Sequence, residues 1–187
     1  MSAGDFPLSK EDFETDNIEI DSKKLLKILN KTKFSISNDE TRHYLSGIFL
    51  HKTQIKENFF LTAVSTDSHR LSMSRIKLES DINFEPIILP KKTIFQLSSL
   101  LDGIQEKIKI SNNKSKIKFK LNNSVLISKV IDGKFPNYSQ VIPSNNQKVL
   151  EVNLKNFINS VDHVISVSSD RKEGVKMSLS KDLLLLS

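Results

Sequence analysis

NIEIDSKKLLKILNKTKF, residues 17–34, begins a pattern that recurs as EPIILPKKTIFQLSSLL at residues 85–101 and as VLEVNLKNFINSVDHVI at residues 149–165. Each copy has a short β-prone stretch, a polar or proline residue, a basic residue and then apolar residues at helical spacing. The equivalent positions Ile18, Ile87 and Leu150 are 69 and 63 residues apart, so the repeating unit is about 65 residues long. A repeat of this kind predicts a fold built from copies of one supersecondary unit.

The helical segments of the three copies are each amphipathic. At about 100° per residue the apolar side chains of the first copy fall opposite its lysines, and Pro90 is placed to begin the second helix. The apolar positions are Leu25, Leu26, Ile28 and Leu29 in the first copy, Ile94, Leu97, Leu100 and Leu101 in the second, and Leu154, Phe157, Ile158, Val161, Val164 and Ile165 in the third. Each helix is therefore expected to pack one face on a core.

The stretches that follow the helices alternate or run apolar between Asn, Ser and Gly residues, as β-strands do. They are YLSGIFLHKTQ (44–54), NFFLTAVST (58–66), HRLSMSRIKL (69–78), KIKISNNKSKIKFKL (107–121) and SVLISKVIDG (124–133). One unit is therefore a strand, a helix and about three further strands. Two units predict one α+β domain in which helices pack on antiparallel sheets.

Two polar stretches divide the chain. Residues 1–16 are polar and acidic and predict a linker or leader. Residues 136–147, PNYSQVIPSNNQ, contain two prolines and predict a domain boundary. The first two units are thus expected to form a domain at residues 17–143. The third unit, at residues 148–187, begins a further domain and ends after its helix and two strands.

Composition limits the classes of function. The net charge of +6 and the pI of about 9.4 favour polyanion partners, although a composition rich in Lys, Asn and Ile would produce the same charge. Cysteine is absent, which excludes disulfides, thiolate nucleophiles and Cys-ligated zinc. There is no run of about 18 apolar residues that would predict a membrane span, and the first residues lack the pattern of a signal peptide. A cytoplasmic location is expected.

The stretch STDSHRLSMSR, residues 65–75, contains the residue types of a hydrolase site, including Thr66, Asp67, His69 and Arg70. Adjacent residues on a strand point to opposite faces, so neighbouring members of a triad would not converge. The sequence has no G-x-S-x-G elbow and no glycine-rich phosphate loop, and its four histidines show no H-x-x-x-H spacing. We therefore expect no catalysis by this stretch and no cofactor, and a metal site made of scattered carboxylates is the weaker interpretation.

Three further blocks are informative together with STDSHRLSMSR: ILPKKTIFQLSSLL (88–101), SKVIDGKFPNYSQVIP (128–143) and FSISNDETRHYLSGIFL (34–50). The four blocks resemble four segments of the bacterial sliding clamp family, the beta subunit of DNA polymerase III. In the order STDSHRLSMSR and then the three blocks as given, these segments are the family's T-D-G-H-R-L loop, its V-P-R-K helix start, its K-x-x-D-G-x-F-P-D-Y-x-x-V-x-P segment and its F-S-x-x-x-x-x-R-x-Y-L-x-G pattern. The order and spacing agree over nearly the whole chain.

The resemblance implies a DNA-clamp fold, with antiparallel sheets outside and helices on the DNA-facing side. A family subunit has three copies of a two-unit domain, and two subunits close a ring around duplex DNA. Residues 17–143 would correspond to the middle domain and residues 148–187 to the first half of the third, so a fragment of a longer gene product is implied. The implied function is a non-catalytic processivity factor of bacterial DNA replication. Its implied partners are duplex DNA, the polymerase catalytic subunit and the clamp loader, and its full-length state is a homodimer.

The resemblance also implies a pocket for short linear peptides from clamp partners, which carry a glutamine and a pair of bulky apolar residues. The pocket residues carried over are Leu45, Thr66, Ser68, His69, Arg70, Leu71, Pro136, Gln140 and Val141. Ser68 stands where the family usually has glycine, which raises the question of a left-handed backbone at this position. Gln140 stands where an arginine is common, which weakens any ion pair with an acidic peptide.

Lysines on the two helices are implied to contact the phosphates of the encircled duplex without sequence preference. They are Lys24, Lys27, Lys31, Lys91 and Lys92. A solvated lysine face is the plain alternative. Two other functions stay open on the residues alone. A metal-dependent nuclease would need clustered acids facing a groove, and a stand-alone adaptor would bind the same peptides without forming a ring.

Overall fold

The structure is a computed structural model that describes residues 18–167 and 174–187. The chain forms two compact units, the first ending at Pro136 and the second starting at Asn137. The predicted leader, residues 1–16, lies outside the described residues. No helix in the described ranges is long and apolar enough to cross a membrane.

The first unit contains the predicted order of elements twice. The first copy is β1 (Ile18–Asp21), α1 (Ser22–Thr32), β2 (Gly47–Ile55), β3 (Asn58–Thr66) and β4 (Leu71–Lys77). The second copy is β5 (Ile87–Pro90), α2 (Lys91–Leu101), β6 (Lys107–Asn112), β7 (Lys116–Leu121) and β8 (Ser124–Lys129). Short 3₁₀ helices at Lys33–Ser35 and Glu40–Leu45 join α1 to β2. The predicted α+β fold of repeated strand-helix-three-strand units is confirmed.

The two copies form two four-stranded sheets, with the strand orders β4-β3-β2-β5 and β1-β6-β7-β8. Every pairing is antiparallel. The first strand of each copy therefore pairs with the other copy's sheet: β1 lies beside β6, and β5 lies beside β2. This exchange joins the two copies into one domain, because each sheet takes three strands from one copy and its fourth strand from the other copy.

Each helix buries one face in a core that the two sheets share. Asp21 caps α1, since its carboxylate accepts a hydrogen bond from the backbone N–H of Lys24 at 3.0 Å. Pro90 immediately precedes α2, as predicted. The buried helical residues are Leu25, Ile28 and Leu29 on α1 and Ile94, Leu97 and Leu101 on α2. Leu26 is only half-buried and Leu100 is exposed, because both stand at the margin of their apolar stripes.

The second unit has a smaller set of elements. It contains a 3₁₀ turn at Tyr138–Val141, then α3 (Leu154–Val167) and a hairpin of β9 (Met177–Ser180) and β10 (Leu183–Leu186). The predicted helix and two strands are therefore present. The apolar side of α3 is half-buried at Phe157, Val161 and Val164, and no described residue of this unit is fully buried.

Candidate functional site

The turn between β3 and β4 is held by its own polar side chains. The Thr66 hydroxyl donates a hydrogen bond to the backbone carbonyl of Arg70 at 2.8 Å. The Asp67 carboxylate accepts from the backbone N–H groups of His69 and Arg70, each at 3.0 Å, and from Nε of Arg70 at 3.0 Å. The residue types that suggested a hydrolase site therefore hold the backbone of the turn between β3 and β4 in place.

The Asp67 carboxylate is stabilised in its charged form. Burial by itself would raise the pKa of this carboxyl, but the hydrogen bonds from Arg70 and His69 outweigh burial and bring the pKa below its ordinary value. The charged form also suits the Arg70 guanidinium, which pairs with Asp67 and lies over the Phe34 ring, 5.7 Å from its centre. A charged, fully bonded aspartate is a poor proton acceptor, which agrees with a structural role.

Ser68 has φ +78°, so the turn keeps the left-handed backbone that glycine adopts most easily. Its hydroxyl Oγ is joined to Nη1 of Arg42 at 2.6 Å. Arg42 is held in turn by Asp39, whose carboxylate accepts from Nε at 2.8 Å. Sequence reasoning missed Arg42, although the R-x-Y-L-x-G pattern contains it, because only Leu45 was carried over from that block.

Residues 131–136, which contain the D-G-x-F-P block, pack along the sheet β4-β3-β2-β5 at the end that carries this turn. The Ile131 N–H donates to the Ile88 carbonyl at 2.9 Å. The His43 ring lies 3.2 Å from the Asp132 carbonyl oxygen, measured from Nε2. A Cβ at Gly133 would lie 3.1 Å from Cβ of Tyr44, a tight contact that favours glycine at this position. The block is therefore held against the 3₁₀ helix Glu40–Leu45.

An apolar row crosses the outer face of the sheet β4-β3-β2-β5. The strand register aligns Ile88, Phe49, Val64 and Met73 across four strands. Phe135 covers the row by stacking on Phe49, with ring centres 4.9 Å apart. Leu71 pairs with Thr66 at the loop end of β4, two residues beyond the pair of Val64 and Met73. The row thus leads from the D-G-x-F-P block towards the turn.

The structure places the predicted pocket residues as follows. Leu45 is buried, so most of its side chain packs in the interior. Leu71 is half-buried, whereas Ser68, His69 and Pro136 are exposed. Gln140 and Val141 belong to the second unit, where both side chains are exposed. Sequence reasoning missed Phe34, Phe49, Met73 and Phe135. The alternation along the predicted strands was the signal that could have found the two on the sheet, Phe49 and Met73.

The predicted DNA-facing lysines lie on the helices, away from the core. Lys24, Lys27 and Lys31 on α1 and Lys92 on α2 are exposed. Lys91 differs, because it is half-buried and its Nζ donates to Oδ1 of Asn38 at 2.5 Å. Four of the five lysines are therefore accessible to a ligand in solution, and Lys91 has a structural contact as well.

Within residues 18–167 and 174–187, no group of three or more His, Asp or Glu side chains lies close enough together to hold a metal ion.

Comparison with known proteins gives consistent matches. A family model described as "DNA polymerase III beta subunit, central domain" matches residues 19–137. The beta sliding clamp of Caulobacter vibrioides strain NA1000 is 34% identical over 188 residues, which cover 100% of this chain and 50% of that protein. The beta sliding clamp of Rickettsia felis is 41% identical over 165 residues, covering 86% of this chain and 42% of that protein.

Solved structures agree with these matches. A crystal structure of the C. crescentus beta sliding clamp has a TM-score of 0.94 and 34% identity, and it covers 100% of this chain and 50% of that one. A sliding clamp from Bartonella birtlesii bound to griselimycin has a TM-score of 0.90 and 35% identity, with coverage of 98% and 50%. The chain spans about half the length of the curated relatives it matches.

Proposed function

This chain belongs to the DNA polymerase III beta subunit family, the bacterial sliding clamps, and we propose that it forms part of a ring that encloses duplex DNA and tethers the replicative polymerase. The observation that carries the proposal is the match of the family's central domain to residues 19–137. Those residues include the two copies that exchange strands to form one domain. In this proposal residues 17–143 are the middle domain and residues 148–187 the first half of the third. The ring is a dimer of the complete gene product in the bacterial cytoplasm.

DNA contact in this proposal comes from the helices. The exposed lysines of α1 and α2 lie on the side of each helix that faces away from the core. Lysine contacts to phosphates carry no sequence information, so the ring would slide along any duplex. The protein would supply retention on DNA, and the polymerase would supply the chemistry. Family membership favours this function over a metal-dependent nuclease and over a stand-alone adaptor.

We assign a second role, peptide binding, to the outer face of the sheet β4-β3-β2-β5. The apolar row there ends at Leu71 beside a turn whose backbone is held by Thr66 and Asp67. A slot of apolar side chains with a rigid polar border suits a short extended peptide with bulky anchors. The ligand-bound Bartonella clamp supports the presence of a ligand site on clamps of this family. Leu71, Thr66, His69 and Arg70 would contact the peptide, together with Pro136.

Retention on circular DNA tests the ring. The complete gene product, loaded onto nicked circular DNA, should stay bound through gel filtration and should dissociate after the circle is cut once with a restriction enzyme. A ring around DNA leaves only by an end, whereas a protein that binds the DNA surface dissociates from both forms alike. Equal dissociation from circular and linear DNA would overturn the proposal.

A further inference from the structure

The solvent face of the sheet β1-β6-β7-β8 carries six lysines: Lys107, Lys109, Lys116, Lys118, Lys120 and Lys129. We name this set the lysine face. Its members alternate with buried residues, which include Ile108, Ile110, Ile117, Phe119 and Leu121. Because α1 and α2 pack into the core on the other side of this sheet, the lysine face points away from both helices. It is therefore separate from the helical lysines that the proposed ring turns towards the encircled duplex.

The register of the strands places like charges directly opposite each other. Lys109 lies opposite Lys120 in the β6–β7 pair, and Lys116 lies opposite Lys129 in the β7–β8 pair. Directly opposed like charges destabilise an antiparallel pair. Carboxylates lie near the two lysines of β6, where Glu19 is 3.4 Å from Lys109 and Glu79 is 3.7 Å from Lys107. A polyanion lying across β7 and β8 would reduce the repulsion within the opposed pairs.

The outward positions of β7 and β8 identify the kind of polyanion. They are Lys116, Lys118 and Lys120 on β7 and Val125, Ile127 and Lys129 on β8. These positions include no acid and no aromatic ring, so they offer charge to phosphates and no platform on which a base could stack. Outward residues along an antiparallel strand recur every ~6.8 Å. Measured along the helix axis, this spacing equals about two phosphate steps of one strand of B-form DNA.

We propose that the lysine face binds the phosphate backbone of a nucleic-acid segment other than the duplex inside the ring, without sequence preference. The pattern of β7 favours this ligand over an acidic protein segment, because a regular row of lysines matches the regular charge spacing of a nucleic-acid backbone. An acidic protein would require no such regularity. The site requires no ring, so a chain that does not encircle DNA should still bind through it.

A short linear duplex with a fluorescent label tests the proposal with the 187-residue chain, by fluorescence anisotropy over a range of salt concentrations. The triple variant Lys118→Glu, Lys120→Glu, Lys129→Glu should bind several-fold more weakly than the parent. Its slope of log K against log salt should fall by about 0.9 for each phosphate that the variant no longer neutralises. The matched control is Lys24→Glu, Lys27→Glu, Lys92→Glu, which makes the same change in net charge on the helices. Circular dichroism checks that both variants fold.

A larger drop in affinity for the sheet variant than for the helix variant supports the lysine face. An equal or smaller drop overturns it, because the effect would then be one of net charge or of the helical lysines. Poly-glutamate of matched charge is the second arm. If it competes for the lysine face as well as the duplex does, the nucleic-acid assignment is wrong and an acidic protein is the ligand. Retention on circular DNA is measured separately, so failure of the ring and failure of the lysine face are distinguishable.

Discussion

The Arg42 guanidinium and the Ser68 hydroxyl form a hydrogen bond 2.6 Å long between residues that are 26 positions apart in sequence. It joins the short helix before β2 to the turn between β3 and β4. Asp39 holds the same guanidinium at Nε, so Arg42 reaches the turn from a fixed position. Ser68 keeps φ +78° there. A glycine would need no such contact, because it has no Cβ to clash in the left-handed region.

We expect this bond to be measurable as a coupling energy. Arg42→Ala removes this bond and the ion pair with Asp39 together, so only its coupling with Ser68 should equal about 0.5–1.5 kcal/mol, the usual net value of one hydrogen bond. The destabilisation should be smaller in a Ser68→Gly background, since the hydroxyl and the backbone strain are then both absent. Urea unfolding of the parent, the two single variants and the double variant gives the coupling. Equal destabilisation in the two backgrounds would show that the bond contributes nothing to stability.

The stability of the folded chain should depend on pH at the acid end because of Asp39. Hydrogen bonds from the Thr41 side chain, then from Arg42, and then from the Thr41 backbone lower the pKa of its carboxyl from 3.8 to about 2. The unfolded state therefore binds the proton first, and stability falls as the pH drops from about 4 to about 2. This contribution is complete above the ordinary pKa.

Asp39→Asn should flatten the dependence of the unfolding free energy on pH in that window. Asp67 should retain part of the slope, since its pKa is lowered too. Urea unfolding over a pH series measures the slope, and an NMR titration of the Asp39 carboxyl should have its midpoint near 2. A midpoint at the ordinary value would contradict the hydrogen-bond network.

Gly47 permits the contact between β2 and β5. A Cβ at this position would collide with the Leu89 carbonyl oxygen, a backbone atom that cannot move without shifting β5. Gly47→Ala should therefore destabilise the chain by about 1–3 kcal/mol or more, as overpacking in a core does. Gly174→Ala is the matched control, because nothing lies within 4 Å of its added Cβ. Thermal unfolding compares the two, and equal melting temperatures would refute the close contact.

The sequence predicted the elements of the fold better than their partners. Hydrophobic periodicity is a local signal, so it located the strand, helix and following strands of each copy. The pairing of β1 with β6 and of β5 with β2 depends on contacts far apart in the chain, which periodicity does not report. The Arg42–Ser68 bond is hidden for the same reason. The lysine face is a local feature that the sequence does show, since lysines alternate with apolar residues in KIKISNNKSKIKFKL.

The helical lysines should control the salt dependence of DNA binding by the complete gene product. Changing Lys24, Lys27, Lys31 and Lys92 to glutamate should weaken DNA binding and lower the salt slope, because a phosphate that is not neutralised keeps its counterions. Folding should survive, since all four side chains are exposed. Lys91 keeps its native side chain in this variant because it also contacts Asn38. Binding measured against salt concentration tests this, and an unchanged slope would place these lysines away from DNA.

Leu71 should decide the affinity for a partner peptide. A peptide with a glutamine and two bulky apolar residues should bind the complete gene product at the outer face of the sheet, where Leu71 pairs with Thr66. Leu71→Lys should weaken binding several-fold or more, because a charge among apolar groups loses its hydration without gaining a partner. Ile55→Lys is the matched control, since Ile55 is 42% exposed and lies at the opposite end of β2 and β3 from the turn. Fluorescence anisotropy of a labelled peptide measures both variants. Parent-like binding by Leu71→Lys, or an equal weakening in Ile55→Lys, would exclude this face as the peptide site.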